Sequence, residues 1–299
     1  MPSCRARVSA LILIVGLVTA SHAATVAQAQ APRRNFLWKV QSATGVLYLA
    51  GSVHALTPEM YPLDPAFQKA FDASGALVEE INLSEADSLS ALPLLMSKGM
   101  YRDGRTFDQA VSKETAAMVA ERLNALPGVM ELIKPLKPWV VTLLLTGLQV
   151  QQAGLDPSLG LDKHFFDKAT AARKEIIGLE TADSQMDVFD KMPEAVQEQM
   201  LRSTLKDLSS GDAELKSILA SWKRGDAGAI EKSLLGGFND LPGAYQALVV
   251  TRNRNWMPQL DACLMRTSPC FVVVGAAHLV GPDGLLTLLA RKGYRIQQQ

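Results

Sequence analysis

Apolar and polar positions follow two rhythms along this chain, and each change of rhythm marks an element. "FLWKVQSATGVLYLAGS" holds two strand-like runs split at Thr44-Gly45, the pattern of a β-hairpin whose second strand stops at Gly51. "PLDPAFQKAFDAS" switches to helical spacing, with Phe67 and Phe71 four apart and Pro65 suited to a first turn. "GALVEEINL" reads as a short strand entered through Gly75. From Ser84 to Leu155 the pattern is mostly helical, punctuated by Pro93, Pro127, Pro135 and Pro138. Within it, "PWVVTLLLTGLQV" is too short to span a bilayer and reads as a buried helix. "LGLDKHFFDKATAARK" is a further helix, "EIIGLE" a brief strand, and the segments from "DSQMDVFDK" to Met257 are helical again. "CFVVVGAAH" lacks polar alternation, as suits a strand covered on both faces. "GPDGLLTLLARKG" is a helix with Gly293 near its end, and "YRIQQ" a last strand.

Strands therefore alternate with helices at both ends, while helices fill the middle. The expected class is α/β: a mixed central sheet flanked by helices, with a helix-rich insertion in the middle of the chain. One domain over residues 35–299 accommodates every element. The start of the chain has a different character. Arg5 and Arg7 precede an apolar run from Val8 to Val18, and "TASHA" offers a small-x-small cleavage site ending at Ala23. Residues 1–23 read as a secretory signal peptide and 24–34 as a flexible lead-in, which predicts a periplasmic or secreted protein. The alternative is a retained N-terminal anchor.

Charge narrows the partners. Without the leader's two arginines, the 30 basic residues become 28 against 30 acidic ones. That balance offers no electrostatic footprint for nucleic acid or an anionic membrane. No later apolar run reaches spanning length, so no membrane span is expected after cleavage. Two cysteines then remain, Cys263 and Cys270 in "DACLMRTSPCFVV". In an oxidising compartment they read as a disulfide closing a short loop; their spacing is not C-x-x-C and no histidine lies close by.

The candidate chemistry begins with four histidines, one of them, His22, inside the leader. His54 follows Gly51 and His278 follows Gly275, each in a Gly-x-x-His frame that ends an apolar run. Both fall at carboxyl ends of predicted strands, where open α/β sheets collect ligands. Two hydrogen-bonded structural histidines would give the same pattern. "LVEEINL" puts Glu79 and Glu80 at another strand end, on opposite faces by alternation, and a buried carboxylate demands a partner. Glu180 in "GLET" follows a third apolar run; it reads either as a site carboxylate or as a cap of the next helix, aided by Thr181 and Asp183. Histidine and glutamate from separate strand ends make a nitrogen/oxygen set for a divalent metal, or a metal-free acid–base set.

Four stretches resemble the TraB/GumN family, which is related to the Tiki proteins and to erythromycin-esterase-like and ChaN-like proteins. They are "YLAGSVHAL…LDPAFQKAFDASGALVEEINL", "GLDKHFFDKATAARKEIIGLETADSQMDVFD", "TRNRNWMPQL" and "FVVVGAAHLVGPDGLLTLLARKGYRI", in family order. The paired Gly-x-x-His motifs supplying His54 and His278 are that family's hallmark. The resemblance puts the family glutamate on Glu80 rather than Glu79, and matches Glu180, Arg252 and Asn253 to its glutamate and Arg-Asn pair. Because Tiki relatives are regarded as metal-dependent proteases, it implies a metal-dependent hydrolase acting on a peptide or small molecule. His54, Glu80, Glu180 and His278 would hold a divalent ion, and Arg252 and Asn253, with Asp162 nearby, would meet substrate. Arg252 would stabilise an oxyanion or orient a substrate carboxylate, or else form a salt bridge to a neighbouring helix. Two departures stand out: many relatives carry an acid where this chain has Asn82, which weakens the metal set, and an acidic residue common before the Arg-Asn pair is Thr251 here. The family's link to polysaccharide gene clusters implies the alternative of a non-catalytic binding or accessory protein of the envelope. His164, in the same helix as Asp162, reads as structural.

Overall fold

A computed structural model describes residues 34–84, 88–124, 126–210 and 213–299. The expected signal peptide and all but the last residue of the expected lead-in lie outside the described residues. Among the described residues six strands form one mixed sheet: β1 (Leu37–Gln41), β2 (Val46–Ser52), β3 (Ala76–Glu79), β4 (Glu175–Gly178), β5 (Cys270–Gly275) and β6 (Arg295–Gln298), in the order β4-β3-β5-β2-β1-β6. The expected hairpin is β1–β2, turned where Ser42 N donates to Gly45 O at 3.0 Å. β1 also pairs antiparallel with β6. β2, β5, β3 and β4 run parallel, so all four release their chains at the same edge.

β5 is buried along its whole length, as its unbroken apolar run requires. Alternation sends Phe271 to one face, where it meets Phe165 at 4.6 Å and Phe71 at 5.8 Å between ring centres. The helices Pro65–Asp72 and Leu161–Ala171 therefore cover that face. Cys270 points to the other face and is bonded to Cys263 of the helix Arg252–Cys263, with Cα atoms 5.8 Å apart. That disulfide suggests an oxidising compartment. Among the described residues no helix is long and apolar enough to cross a membrane.

Registry extends these two faces to the site. Ser52 of β2 stands opposite Gly275, and Glu79 of β3 opposite Val273, so both share the Phe271 face. Glu80, one residue on, turns to the Arg252 face.

The helix-rich middle builds an apolar cluster of its own from Phe107, Val119, Val141, Leu145, Leu201 and Leu205. In it, the helix Pro138–Gln152 packs along Glu194–Ser210. The expectation of a buried helix at "PWVVTLLLTGLQV" holds for one side only. Trp139, Val141 and Leu145 are buried, but Leu143 and Leu144 are 40 % and 47 % exposed. A stretch apolar on every face carries no periodicity to say which side is covered.

Candidate functional site at the carboxyl edge of the parallel strands

Four chain segments leave the parallel strands at one edge, and each delivers a polar side chain to it. Past β2 the chain makes a close pass over the start of the helix Leu161–Ala171, where Leu161 N donates to Val53 O at 3.2 Å. Gly160 permits this, since a Cβ there would lie 2.5 Å from the carbonyl oxygen of His54. The pass sets Asp162, in the helix's first turn, under the His54 ring: Oδ2 lies 3.1 Å from Nδ1, while Oδ1 accepts from Ser52 Oγ at 2.9 Å. His54 thus has a carboxylate behind it, itself fixed by a hydroxyl from the same strand.

Past β3 and β4 the parallel pairing continues for two residues, with Leu179 N donating to Glu79 O at 2.8 Å and Glu180 N to Glu80 O at 2.9 Å. Glu80 and Glu180 are thereby held side by side, and the Arg252 guanidinium lies against both. Its Nη2 donates to Glu80 Oε2 and to Glu180 Oε1, each at 2.5 Å, and its Nε to Glu180 Oε1 at 3.0 Å. Arg252 arrives from a π-helical turn, Gln246–Thr251, which resets the helix just before it. The helix cap considered for Glu180 falls instead to Thr181, whose Oγ1 accepts from Ser184 N at 3.1 Å. Likewise, Arg252 pairs with two strand-end carboxylates rather than with a neighbouring helix.

Past β5 the chain enters a short turn, Ala276–His278, that folds His278 back over the edge. Its Nδ1 and Asn253 Oδ1 are 2.7 Å apart, its Nε2 lies 3.0 Å from Arg252 Nη1, and the Trp256 ring packs 4.5 Å from it. The two imidazoles and Glu80 converge on Gly275. A methyl group built there would sit 3.2 Å from Glu80 Oε1, 3.4 Å from His54 Nε2 and 3.5 Å from His278 Cδ2. A side chain at 275 would press on Glu80, and the Gly275 N–H donates to Glu80 Oε1 at 2.7 Å.

The charges sort accordingly. Burial alone would raise Glu80, but His278, Arg252, His54 and the Gly275 N–H outweigh it and hold the carboxyl at about 2. For His278 burial dominates, reinforced by Arg252 and His54 against Glu80, and lowers it to about 4. Desolvation also works against a charged His54, yet the hydrogen bond and charge of Asp162 raise it to about 9. Protein atoms crowd His54, but its side chain keeps 62 % exposure, so water screens part of that effect. Glu79 is the opposite of its neighbour. It is 2 % exposed, neither carboxyl oxygen has a hydrogen-bond partner among the described residues, and burial with the nearby Asp162 and Glu80 pushes it to about 9. A pocket of about 240 Å³ is lined by His54, Glu79, Glu80, Asp162 and Gln185, among others.

Of the sequence-predicted residues, the structure brings together His54, Glu80, Asp162, Glu180, Arg252, Asn253 and His278. It gives two of them tasks other than touching substrate. Asn253 is 0 % exposed and spends its amide on His278 O and Asp283 O. Arg252 commits Nε, Nη1 and Nη2 inside the protein. His164 packs tilted 5.1 Å from Tyr61 and edge-on 5.0 Å from Phe165. Gln185 was not foreseen: its amide bridges Glu80 at 3.2 Å and Glu180 at 3.0 Å. Its only sequence signal is its place one turn after the Thr181 cap. Ser52, inside Gly-x-x-His itself, also went unread.

A divalent ion at the expected ligands meets an obstacle. Glu80, Glu180 and His278 Nε2 already surround the Arg252 guanidinium, which supplies the positive charge there. Among the described residues no group of three or more His, Cys, Asp and Glu side chains is disposed to hold a metal. As arranged, these residues do not fit a resident metal.

The matching family model is that of the TraB/PrgY/gumN family, over residues 36–298. The chain belongs to this family. Its relatives include the "uncharacterized protein YbaP" of Escherichia coli (strain K12), 25 % identical over 246 residues, covering 81 % of this chain and 87 % of that protein. The protein of the same description from Shigella flexneri matches to the same extent. No solved structure matches.

Proposed function

We propose that this TraB-family chain is a hydrolase of the periplasm or another exported compartment, cleaving an amide or ester at the strand-edge pocket with His54 as its proton-transfer group. One observation carries the reading: His54 is the exposed imidazole of the pair, with Asp162 behind Nδ1 and Nε2 turned toward Gly275 and Glu80. That is the layout of a base oriented by a carboxylate. The buried Arg252–Glu80–Glu180–His278 cluster acts as the rigid wall against which this base is aimed. With Nδ1–H on Asp162, a neutral Nε2 takes a proton from water as the water attacks the carbonyl, and returns it to the departing alcohol or amine.

Because Asp162 raises His54, the base form appears as pH climbs from the ordinary 6.5 toward about 9, and turnover rises with it. Hydrolysis of a mixed peptide and p-nitrophenyl ester panel across that range tests the proposal. Asp162→Asn moves the rise to lower pH and His54→Ala removes it; a His54→Ala protein as active as wild type refutes the proposal. The competing reading is a divalent ion held by His54, Glu80, Glu180 and His278, which requires Arg252 to withdraw. Activity lost to a chelator, restored by a divalent ion and accompanied by stoichiometric metal in the protein would favour it. A binding or accessory role without turnover, including one linked to envelope polysaccharide, is supported by the absence of a carboxylate at Asn82; it predicts no hydrolysis from any panel member.

A further inference from the structure

The His54 pocket does not end at the sheet. On its other side His54 borders a second depression of about 730 Å³, with Ala55, Thr146, Gly147, Val150, Gln151 and Leu155 among its walls. Gly147 and Gln151, one turn apart on the helix Pro138–Gln152, also border a third depression of about 370 Å³ on the helical layer. The walls of that third one are aliphatic almost throughout, supplied by Leu123, Val129, Ile133, Leu144 and Leu148. Its rim is exposed: Leu126, Leu143 and Leu144 are 45 %, 40 % and 47 % accessible. A contiguous apolar surface of this kind on an exported protein marks a binding surface rather than chance exposure.

Gly147 is the saddle between the two depressions. Among the described residues a Cβ built there meets no atom within 4 Å, so a bulky side chain at 147 would stand in the open route instead of packing against a neighbour. Glycine costs helix stability relative to any ordinary residue, and nothing packs against this one to require it. Polarity falls along the route. His54, Thr146, Gln151 and Asp156 border the near end, and aliphatic side chains from three helices form the far end. An amphiphile with its polar end at His54 matches that gradient. An extended peptide does not, because the groove walls are aliphatic side chains on helices, which do not satisfy the backbone of a strand lying there.

We propose that the substrate carries a long hydrocarbon acyl chain, running from His54 across Gly147 into the leucine-lined groove. The proposal rests on the hydrolase reading and specifies its substrate class, an acyl ester or amide. Water adds to the acyl carbon, the C–O or C–N bond breaks, the fatty acid leaves as a carboxylate and the alcohol or amine takes the proton held by His54.

The experiment compares p-nitrophenyl acetate, butyrate, octanoate and palmitate on wild type, Gly147→Phe and Gly147→Ala. Phenylalanine raises a wall on the saddle in open space, whereas the alanine methyl leaves it passable. Wild type should favour the longest over the shortest ester by about tenfold or more, since each buried methylene adds discrimination. G147F should erase the preference and G147A keep it, with unchanged helix content in both. A flat chain-length profile, or a preference that survives in G147F, overturns the acyl site and leaves the hydrolase reading standing. If no ester turns over, the hydrolase reading falls, and titration with dansyl-undecanoic acid judges the groove alone. Saturable binding weakened in G147F upholds it, and no binding overturns it. Preference for an amphipathic helical peptide over the fatty acid, or a dimer that closes the groove, overturns it as well.

Discussion

His278 Nε2 lies 3.0 Å from Nη1 of Arg252, and that contact fixes which tautomer the His278 ring holds. Arginine only donates, so Nε2 accepts and the ring proton sits on Nδ1, donated to Asn253 Oδ1 at 2.7 Å. His278 is a neutral imidazole oriented by two buried neighbours, although it shares its sequence frame with the exposed, charged His54.

The first prediction concerns Arg252. Replacing it with Met leaves Glu80 and Glu180 side by side without their shared cation. Removing one partner from a buried ion cluster costs about 3–5 kcal/mol, and chemical denaturation of Arg252→Met should show a loss of that order at neutral pH. A loss under about 1 kcal/mol would mean that the cluster is hydrated rather than closed.

The two imidazoles should titrate on opposite sides of neutrality. His54 is raised to about 9, so its stabilising contribution is complete below 6.5 and disappears as pH rises from 6.5 to about 9. His278 is lowered to about 4, so its folded state is favoured above 6.5 and loses ground as pH falls from 6.5 to about 4. Ring-proton NMR should resolve two midpoints bracketing 6.5, the upper one absent in His54→Gln. A single midpoint near 6.5 for both rings contradicts the assignment.

Glu79 is a buried acid whose folded form holds its proton up to about 9. Below 4.5 this costs nothing, because the unfolded chain is protonated too. Above it, each pH unit up to about 9 costs on the order of 1.4 kcal/mol, the unfolded carboxyl being free to ionise. Glu79→Gln keeps the shape and removes the penalty. Its melting temperature should match wild type in acid and exceed it progressively as pH rises; parallel curves would show that Glu79 finds a partner.

Cys263 and Cys270 close a loop of seven-residue separation. Intact-mass measurement without reductant should find them joined. The Cys263→Ala, Cys270→Ala double variant should lose about 2–3 kcal/mol by the loop-entropy argument, with His54 chemistry intact. The bond ties the start of β5 to the helix carrying Arg252 and Asn253, so reduction should loosen His278 first.

Much of this architecture was legible in residue order. Unbroken apolar runs marked the buried parallel strands, Pro65 and the Phe67–Phe71 spacing marked a helix, and the repeated Gly-x-x-His frame behind buried runs pointed to the strand ends, though not to whether either histidine was structural. Strand alternation also told Glu79 from Glu80 as residues of opposite faces. It could not say which face Arg252 would occupy, because that depends on how a distant helix docks.

The sequence by itself determined that strands end just before His54, Glu80, Glu180 and His278, since local patterning governs where an extended run stops. Only the tertiary structure decided that β2, β3, β4 and β5 run parallel and deliver all four residues to one edge. It also decided that a guanidinium from residue 252 lies among the carboxylates, and that His54 alone of the two histidines faces outward. Those outcomes come from strand order and helix docking, long-range choices driven by burial and charge pairing between segments that share no local pattern.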